Sequence, residues 1–93
     1  MDETIQSDIE TAARILREAG ATEVFLFGSA AEGKLRRDSD LDLAVRGMPP
    51  EKFYRAMGLA TRSISRDLDL IDLDEENLFT DYLQREGQLK RVA

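Results

Sequence analysis

Seven of the ten aspartates in this 93-residue chain fall into Asp-x-Asp pairs, at positions 38/40, 40/42, 67/69 and 72/74. One such pair is about what chance supplies at this aspartate content; four ask for a reason. Alternate residues of a strand share a face, so Asp40 and Asp42 would lie one pleat apart. Asp69 sits between Leu68 and Leu70, whose burial would turn its carboxylate to the same open side. Two like charges about 4 Å apart repel by about 4 kcal/mol at an effective dielectric of about 20. Protonation or a cation resolves that conflict. An all-oxygen donor set selects Mg²⁺ over zinc or copper. Two such ions, about 3.5–4 Å apart, can hold the attacking and leaving oxygens of a phosphoryl displacement. The bland alternative is that these carboxylates keep strand edges solvated and the protein soluble.

The rest of the composition narrows the chemistry further. There is no cysteine and no histidine, which excludes disulfides, thiolate or imidazole metal sites, cysteine nucleophiles and Ser-His-Asp triads. Nineteen acidic residues against thirteen basic ones give a net charge of −6, the opposite of a duplex-binding footprint, so nucleic acid is not an expected partner. The opening Met1-Asp2-Glu3 has no positive region, and no apolar run approaches the roughly 18 residues of a membrane span. The expectation is a soluble, cytoplasmic protein, with residues 1–93 forming a single domain around one small core.

The elements that must position the aspartates follow from periodicity. Ile5, Ile9, Ala12, Leu16 and Ala19 recur at helical steps and Gly20 follows them, which predicts a helix over 4–19. Residues 24–27 are a short apolar run that predicts a strand buried on both faces. Residues 40–45 alternate, with Leu41, Leu43 and Val45 on one face and Asp40, Asp42 and Ala44 on the other. Pro49 and Pro50 open a helix whose stripe is Phe53, Met57, Ala60 and Ile64. Alternation returns over 67–73. Asp74 is the predicted N-cap of a last helix with Leu78, Phe79, Tyr82 and Leu83 as its apolar face, and residues 88–92 form a closing edge strand. This order predicts an α/β (α+β) fold: a small mixed β-sheet with helices mainly on one face and the other partly open.

Gly28-Ser29 follows the first strand and precedes Ala30-Ala31-Glu32, a stretch able to start a short helix that Gly33 ends. Glycine lets a phosphate approach the backbone, and a helix start with a serine hydroxyl offers donors to its oxygens. In isolation the pair is equally an ordinary strand-to-helix turn with Ser29 as N-cap. Lys34, Arg36 and Arg37 follow, either as a phosphate-facing set or as a solvated loop offsetting the nearby aspartates. Phe79 and Tyr82 fit the core or a partner-binding patch.

Taken together, Gly28-Ser29, Gly33, Ser39-Asp40-Leu41-Asp42-Leu43 and Leu68-Asp69-Leu70-Ile71 resemble the signature of the minimal nucleotidyltransferases (MNT) of the DNA polymerase beta superfamily. The resemblance implies a polymerase beta palm-like fold and Mg²⁺-dependent transfer of a nucleotide, AMP from ATP, with release of pyrophosphate. It implies that Asp40 and Asp42 ligate two Mg²⁺ ions. Asp69 would ligate one of them and assist removal of the acceptor's proton, and Gly28 and Ser29 would hold the triphosphate. It also implies a helical HEPN-domain toxin as partner, with this chain as the antitoxin that modifies a hydroxyl on it, most plausibly a tyrosine. The sequence departs from the family pattern at Ala30 and Glu32, where many members carry arginine; Lys34, Arg36 and Arg37 are the basic residues at hand. A partner or a second copy would wall off the acceptor. The alternative from another class is a non-catalytic antitoxin that neutralises its partner by contact.

Overall fold

The computed structural model describes residues 3–36 and 38–93; Met1, Asp2 and Arg37, one of the three candidate phosphate-facing cations, lie outside the described residues. Among the described residues four strands, β1 (Glu23–Leu26), β2 (Leu41–Arg46), β3 (Leu68–Asp72) and β4 (Lys90–Arg91), make one sheet in the order β3-β2-β1-β4. β1 runs antiparallel to β2 and β4, whereas β2 and β3 are parallel. Parallel neighbours need a long crossover, supplied here by the 3₁₀ turn Pro50–Lys52 and helix α3 (Phe53–Ser63). Helix α1 (Glu3–Glu18) precedes the sheet, the short helix α2 (Gly28–Ala31) follows β1, and α4 (Leu78–Arg85) lies between β3 and β4. This is the mixed sheet that the alternation predicts.

The leucine side of β2 sets the main core. Leu41, Leu43 and Val45 are fully buried, and with Val24 and Leu26 of β1 they pack against Ile5, Ile9, Ala12 and Leu16 of α1 and Ala56 and Ala60 of α3. Burying a side chain of this size contributes about 1.5–3 kcal/mol. Gly20 ends α1 at φ +120, a conformation that glycine adopts without steric cost. The opposite face is covered over part of its area: Phe25, Phe27, Ala44, Leu73 and Leu83 form a second, smaller cluster under α4.

Helix α4 departs from expectation in two ways. Asp74 does not cap it: the Asp74 carboxylate instead accepts the Gly47 amide at 2.7 Å, tying the turn after β3 to the turn after β2. Asn77 is the N-cap, in a reciprocal box with Thr80, and satisfies donors that a helix start leaves free. Of the expected apolar face, only Leu83 is buried. Leu78 is 89% exposed, Tyr82 51% and Phe79 47%. With two turns of helix held by the cap and by buried Thr80, whose hydroxyl donates to the Glu75 carbonyl, α4 buries its Thr80–Leu83 side, while half-exposed Phe79 meets Phe27 edge to face.

A buried charged pair lies at the margin of the main core. Asp8 falls on the apolar stripe of α1 beside Ile5 and Ile9, and its carboxylate accepts Arg66 Nε at 2.9 Å and both the amide and hydroxyl of Ser65. Arg66 Nη1 donates onward to the carbonyls of Arg36 (2.8 Å) and Ser39 (3.2 Å). Burial pushes the Asp8 pKa up, but the Ser65 and Arg66 hydrogen bonds and the Arg66 charge outweigh it, and the net direction is down from 3.8. A depressed folded-state pKa contributes stability that is present above the unfolded value and lost as pH falls through the folded one. Asp8→Ala should therefore cost about 3–5 kcal/mol at neutral pH, because it strands a buried guanidinium. Urea unfolding of parent and variant should show that gap narrowing as pH drops below about 4; a gap independent of pH would contradict the assignment.

Candidate functional site

Across the parallel pair β2 and β3, Asp42 stands in register with Asp69, one step after Leu41 and Leu68 and one before Leu43 and Leu70. Adjacent strands are about 4.8 Å apart, so the leucines drive two carboxylates side by side onto the far face. Asp42 is half-buried and Asp69 exposed. Burial, then the Asp69 charge, then the Asp40 charge push the Asp42 pKa up. The three aspartates singled out by spacing thus share one electrostatic neighbourhood. Among the described residues they do not close into a ready-made metal cage. Mg²⁺ is commonly held by one or two carboxylates together with substrate phosphates and water, a demand that an open pair of in-register carboxylates fits.

Asp40 is exposed just ahead of β2 and lines a cavity of about 390 Å³ together with Asp38 and Asp67. Asp67 extends the β3 side of the ladder, its carbonyl accepting the Leu41 amide at 2.9 Å. Asp72 and Asp74 belong elsewhere: Asp72 Oδ1 accepts the Asp74 amide at 2.9 Å, a local turn at the other end of β3.

The Gly28-Ser29 turn abuts Asp42. Gly28 has φ +63, and a Cβ there would collide with a carboxylate oxygen of Asp42; glycine is required both by backbone conformation and by this approach. The Phe27 amide donates to the Asp42 carbonyl at 3.1 Å, holding the two segments together. Phe27, not Ser29, occupies the N-cap position of α2, and no side chain caps that helix. The Ser29 hydroxyl has no hydrogen-bond partner among the described residues. Ala30 is packed in the main core at 2% exposure, so an arginine could not be accommodated there without rearrangement. Glu32 instead lines a cleft of about 330 Å³ between Gly28 and α4, with Phe79, Tyr82 and Glu86. Lys34 and Arg36 are exposed.

Sequence reasoning passed over Asp8 and Arg66. The available signal was position: Asp8 occupies a stripe step, 5-8-9-12, where a lone carboxylate requires a buried partner. No comparable pattern marks Arg66, whose partners are backbone carbonyls distant in sequence.

Residues 10–89 match the family model described as "Polymerase beta, Nucleotidyltransferase". Among solved structures, a minimal nucleotidyltransferase shares 27% identity at a TM-score of 0.70, with 94% of each chain covered. A toxin–antitoxin crystal structure with AMP-PNP shares 22% at 0.69, covering 88% of this chain and 69% of that one. The toxin–antitoxin MntA-HepT shares 19% at 0.63, covering 92% and 69%; these last two likenesses are of fold. No curated protein matches the chain significantly.

Because its raised pKa makes ionised Asp42 a cost to folding above that pKa, neutralising it should stabilise the metal-free protein. Asp42→Asn should melt at higher temperature than the parent in EDTA at neutral pH, with the advantage fading as pH falls toward 3.8. An equal or lower melting temperature at neutral pH would remove the repulsion argument. Gly28→Ala should destabilise by about 1 kcal/mol or more.

Proposed function

The chain belongs to the polymerase beta nucleotidyltransferase family, and on that premise we propose that it transfers AMP from ATP to a hydroxyl of a partner toxin, acting as its antitoxin. The observation that carries this reading is the in-register pair Asp42 and Asp69 beside the close approach of Gly28 to Asp42. It puts a negative, half-buried face next to a turn with free backbone and hydroxyl donors. The toxin–antitoxin relatives of the same fold, one of them with AMP-PNP, support the partner and the donor nucleotide. Residues 1–93 act as one domain in the cytoplasm.

In this reading Asp40 and Asp42 would hold two Mg²⁺ ions and Asp69 would hold one of them. When bound, Mg²⁺ offsets charge on the phosphoryl oxygens and on the leaving pyrophosphate. Gly28 and Ser29 orient the triphosphate, the backbone by its approach and Ser29 by its hydroxyl. The acceptor hydroxyl oxygen forms a bond to the α-phosphorus as the bond from that phosphorus to the bridging oxygen breaks. A carboxylate oxygen of Asp69 takes the hydroxyl proton, and pyrophosphate leaves with the electron pair. The sheet's acidic end is open, and the partner supplies the wall that excludes water.

The exposed side chains of Leu78, Phe79 and Tyr82 on α4 favour a second reading, in which neutralisation is by docking alone. Transfer and docking separate experimentally. With MgATP and the partner toxin, the parent should add whole adenylyl units to a partner side-chain hydroxyl, read by intact-mass spectrometry. The Asp40→Asn, Asp42→Asn double variant should bind the partner yet add none. Full neutralisation of the toxin in cells by that variant would instead establish the contact reading. Ser29→Ala should weaken MgATP binding by about 0.5–3 kcal/mol in isothermal titration; binding equal to the parent's would return Gly28-Ser29 to an ordinary turn.

A further inference from the structure

Asp40 sits at the end of an exposed loop, which by itself is a poor place for a metal ligand, since a site on mobile backbone loses geometry. The structure supplies an anchor on each side of it. The Ser39 carbonyl, in the peptide plane that carries the Asp40 nitrogen, accepts Arg66 Nη1 at 3.2 Å. The Leu41 amide, in the plane that carries the Asp40 carbonyl, donates to the Asp67 carbonyl at 2.9 Å. Peptide planes are rigid, so tethering both restrains the two backbone dihedrals of Asp40 and with them the direction of its Cα–Cβ bond.

Both anchors come from consecutive residues, Arg66 and Asp67, and the same segment continues two residues later to Asp69. Arg66 also holds the Arg36 carbonyl, while the Ser39 amide donates to the Arg36 carbonyl and the Ser39 hydroxyl accepts the Arg36 amide, tying Arg36, Ser39 and Arg66 together. On its other side Arg66 is oriented by Asp8, with both side chains under 10% exposed. An ion pair made for stability alone would be satisfied by Asp8; here one guanidinium nitrogen meets the carboxylate and another turns to two backbone carbonyls of the turn before Asp40.

We propose that Arg66, held by Asp8, is the positioning residue that fixes Asp40 relative to Asp69 and so sets the metal affinity of the site. The inference rests on the reading of Asp40, Asp42 and Asp69 as metal ligands. The partners of the Arg66 side chain are Asp8 and two backbone carbonyls, not the carboxylates of Asp40, Asp42 or Asp69, although Arg66 lines the same cavity as Asp40. The planar fork of arginine spans Asp8 and the carbonyls at once; a lysine ammonium on the same stem keeps the charge beside Asp8 but lacks the second arm.

The test is Mn²⁺ binding, with free Mn²⁺ followed by electron paramagnetic resonance, in the parent, Asp42→Asn, Arg66→Lys and Asp8→Asn proteins, each checked for a cooperative thermal transition. Loss of a group that orients a ligand commonly costs 10- to 100-fold in metal affinity. Arg66→Lys should therefore bind Mn²⁺ roughly 10- to 100-fold more weakly than the parent. The Mg²⁺ concentration for half-maximal transfer should rise in parallel and activity recover at saturating Mg²⁺. Asp8→Asn, which keeps the hydrogen bond to Arg66 but not its charge, should show a smaller loss in the same direction. If Arg66→Lys folds and binds Mn²⁺ like the parent while Asp42→Asn does not, the positioning role is overturned and the ligand reading stands. If Asp42→Asn binds like the parent, the ligand reading itself fails. If Arg66→Lys does not fold, Asp8→Asn decides, unchanged Mn²⁺ affinity there overturning the proposal; if neither variant folds, the pair is a stability element only and the proposal is overturned.

Discussion

Two carboxylates set side by side on adjacent parallel strands are held there by the leucines that alternate with them. Leu41 and Leu43 flank Asp42, Leu68 and Leu70 flank Asp69, and the ladder pairs each with its counterpart. A one-residue slip of either strand would send leucines to the open face and aspartates into the core. The hydrophobic effect therefore enforces an arrangement that Coulomb repulsion opposes. Several features follow from that constraint. The parallel pairing calls for the α3 crossover, and α3 with α1 covers the leucine side. Gly28 has no side chain because the Asp42 carboxylate occupies the space where one would go.

The strands were legible because period-two alternation is read directly from residue types. The three aspartates and the Gly-Ser turn were likewise visible as spacing, and the structure places Asp42 beside both Asp69 and Gly28. What was not legible depends on partners far apart in sequence. Asp74 sits where a helix cap belongs, yet the Gly47 amide, 27 residues away, claims its carboxylate, and Asn77 caps instead. The four apolar residues of α4 have helical spacing, but spacing cannot say how much sheet remains to be covered. Ala44, Phe25, Phe27 and Leu73 offer a small patch, on which Leu83 is the one fully buried apolar residue of α4.

The face opposite α1 and α3 is thus divided. One end is apolar and roofed by α4; the other is acidic and open at Asp40, Asp42 and Asp69. The 330 Å³ cleft between Gly28 and α4 mixes both characters, lined by Phe79 and Tyr82 and by Glu32 and Glu86. Ala30 explains one departure from the family pattern in physical terms, since its methyl is part of the core. The basic residues Lys34 and Arg36 stand in the exposed loop that follows, where they add positive charge without displacing packed side chains.

In the sheet order β3-β2-β1-β4, β3 is an edge. Its outer backbone groups are available to pair with another chain, the usual hazard of an exposed strand. Asp67 just before it, Asp69 within it and Asp72 at its end line that edge with negative charge at nearly every second residue. The aspartates that suit a metal site therefore also act as a barrier against edge-to-edge association. Their charge ties the protection of that edge to ionic conditions: a neutralising cation lowers the barrier on the same strand that carries Asp69.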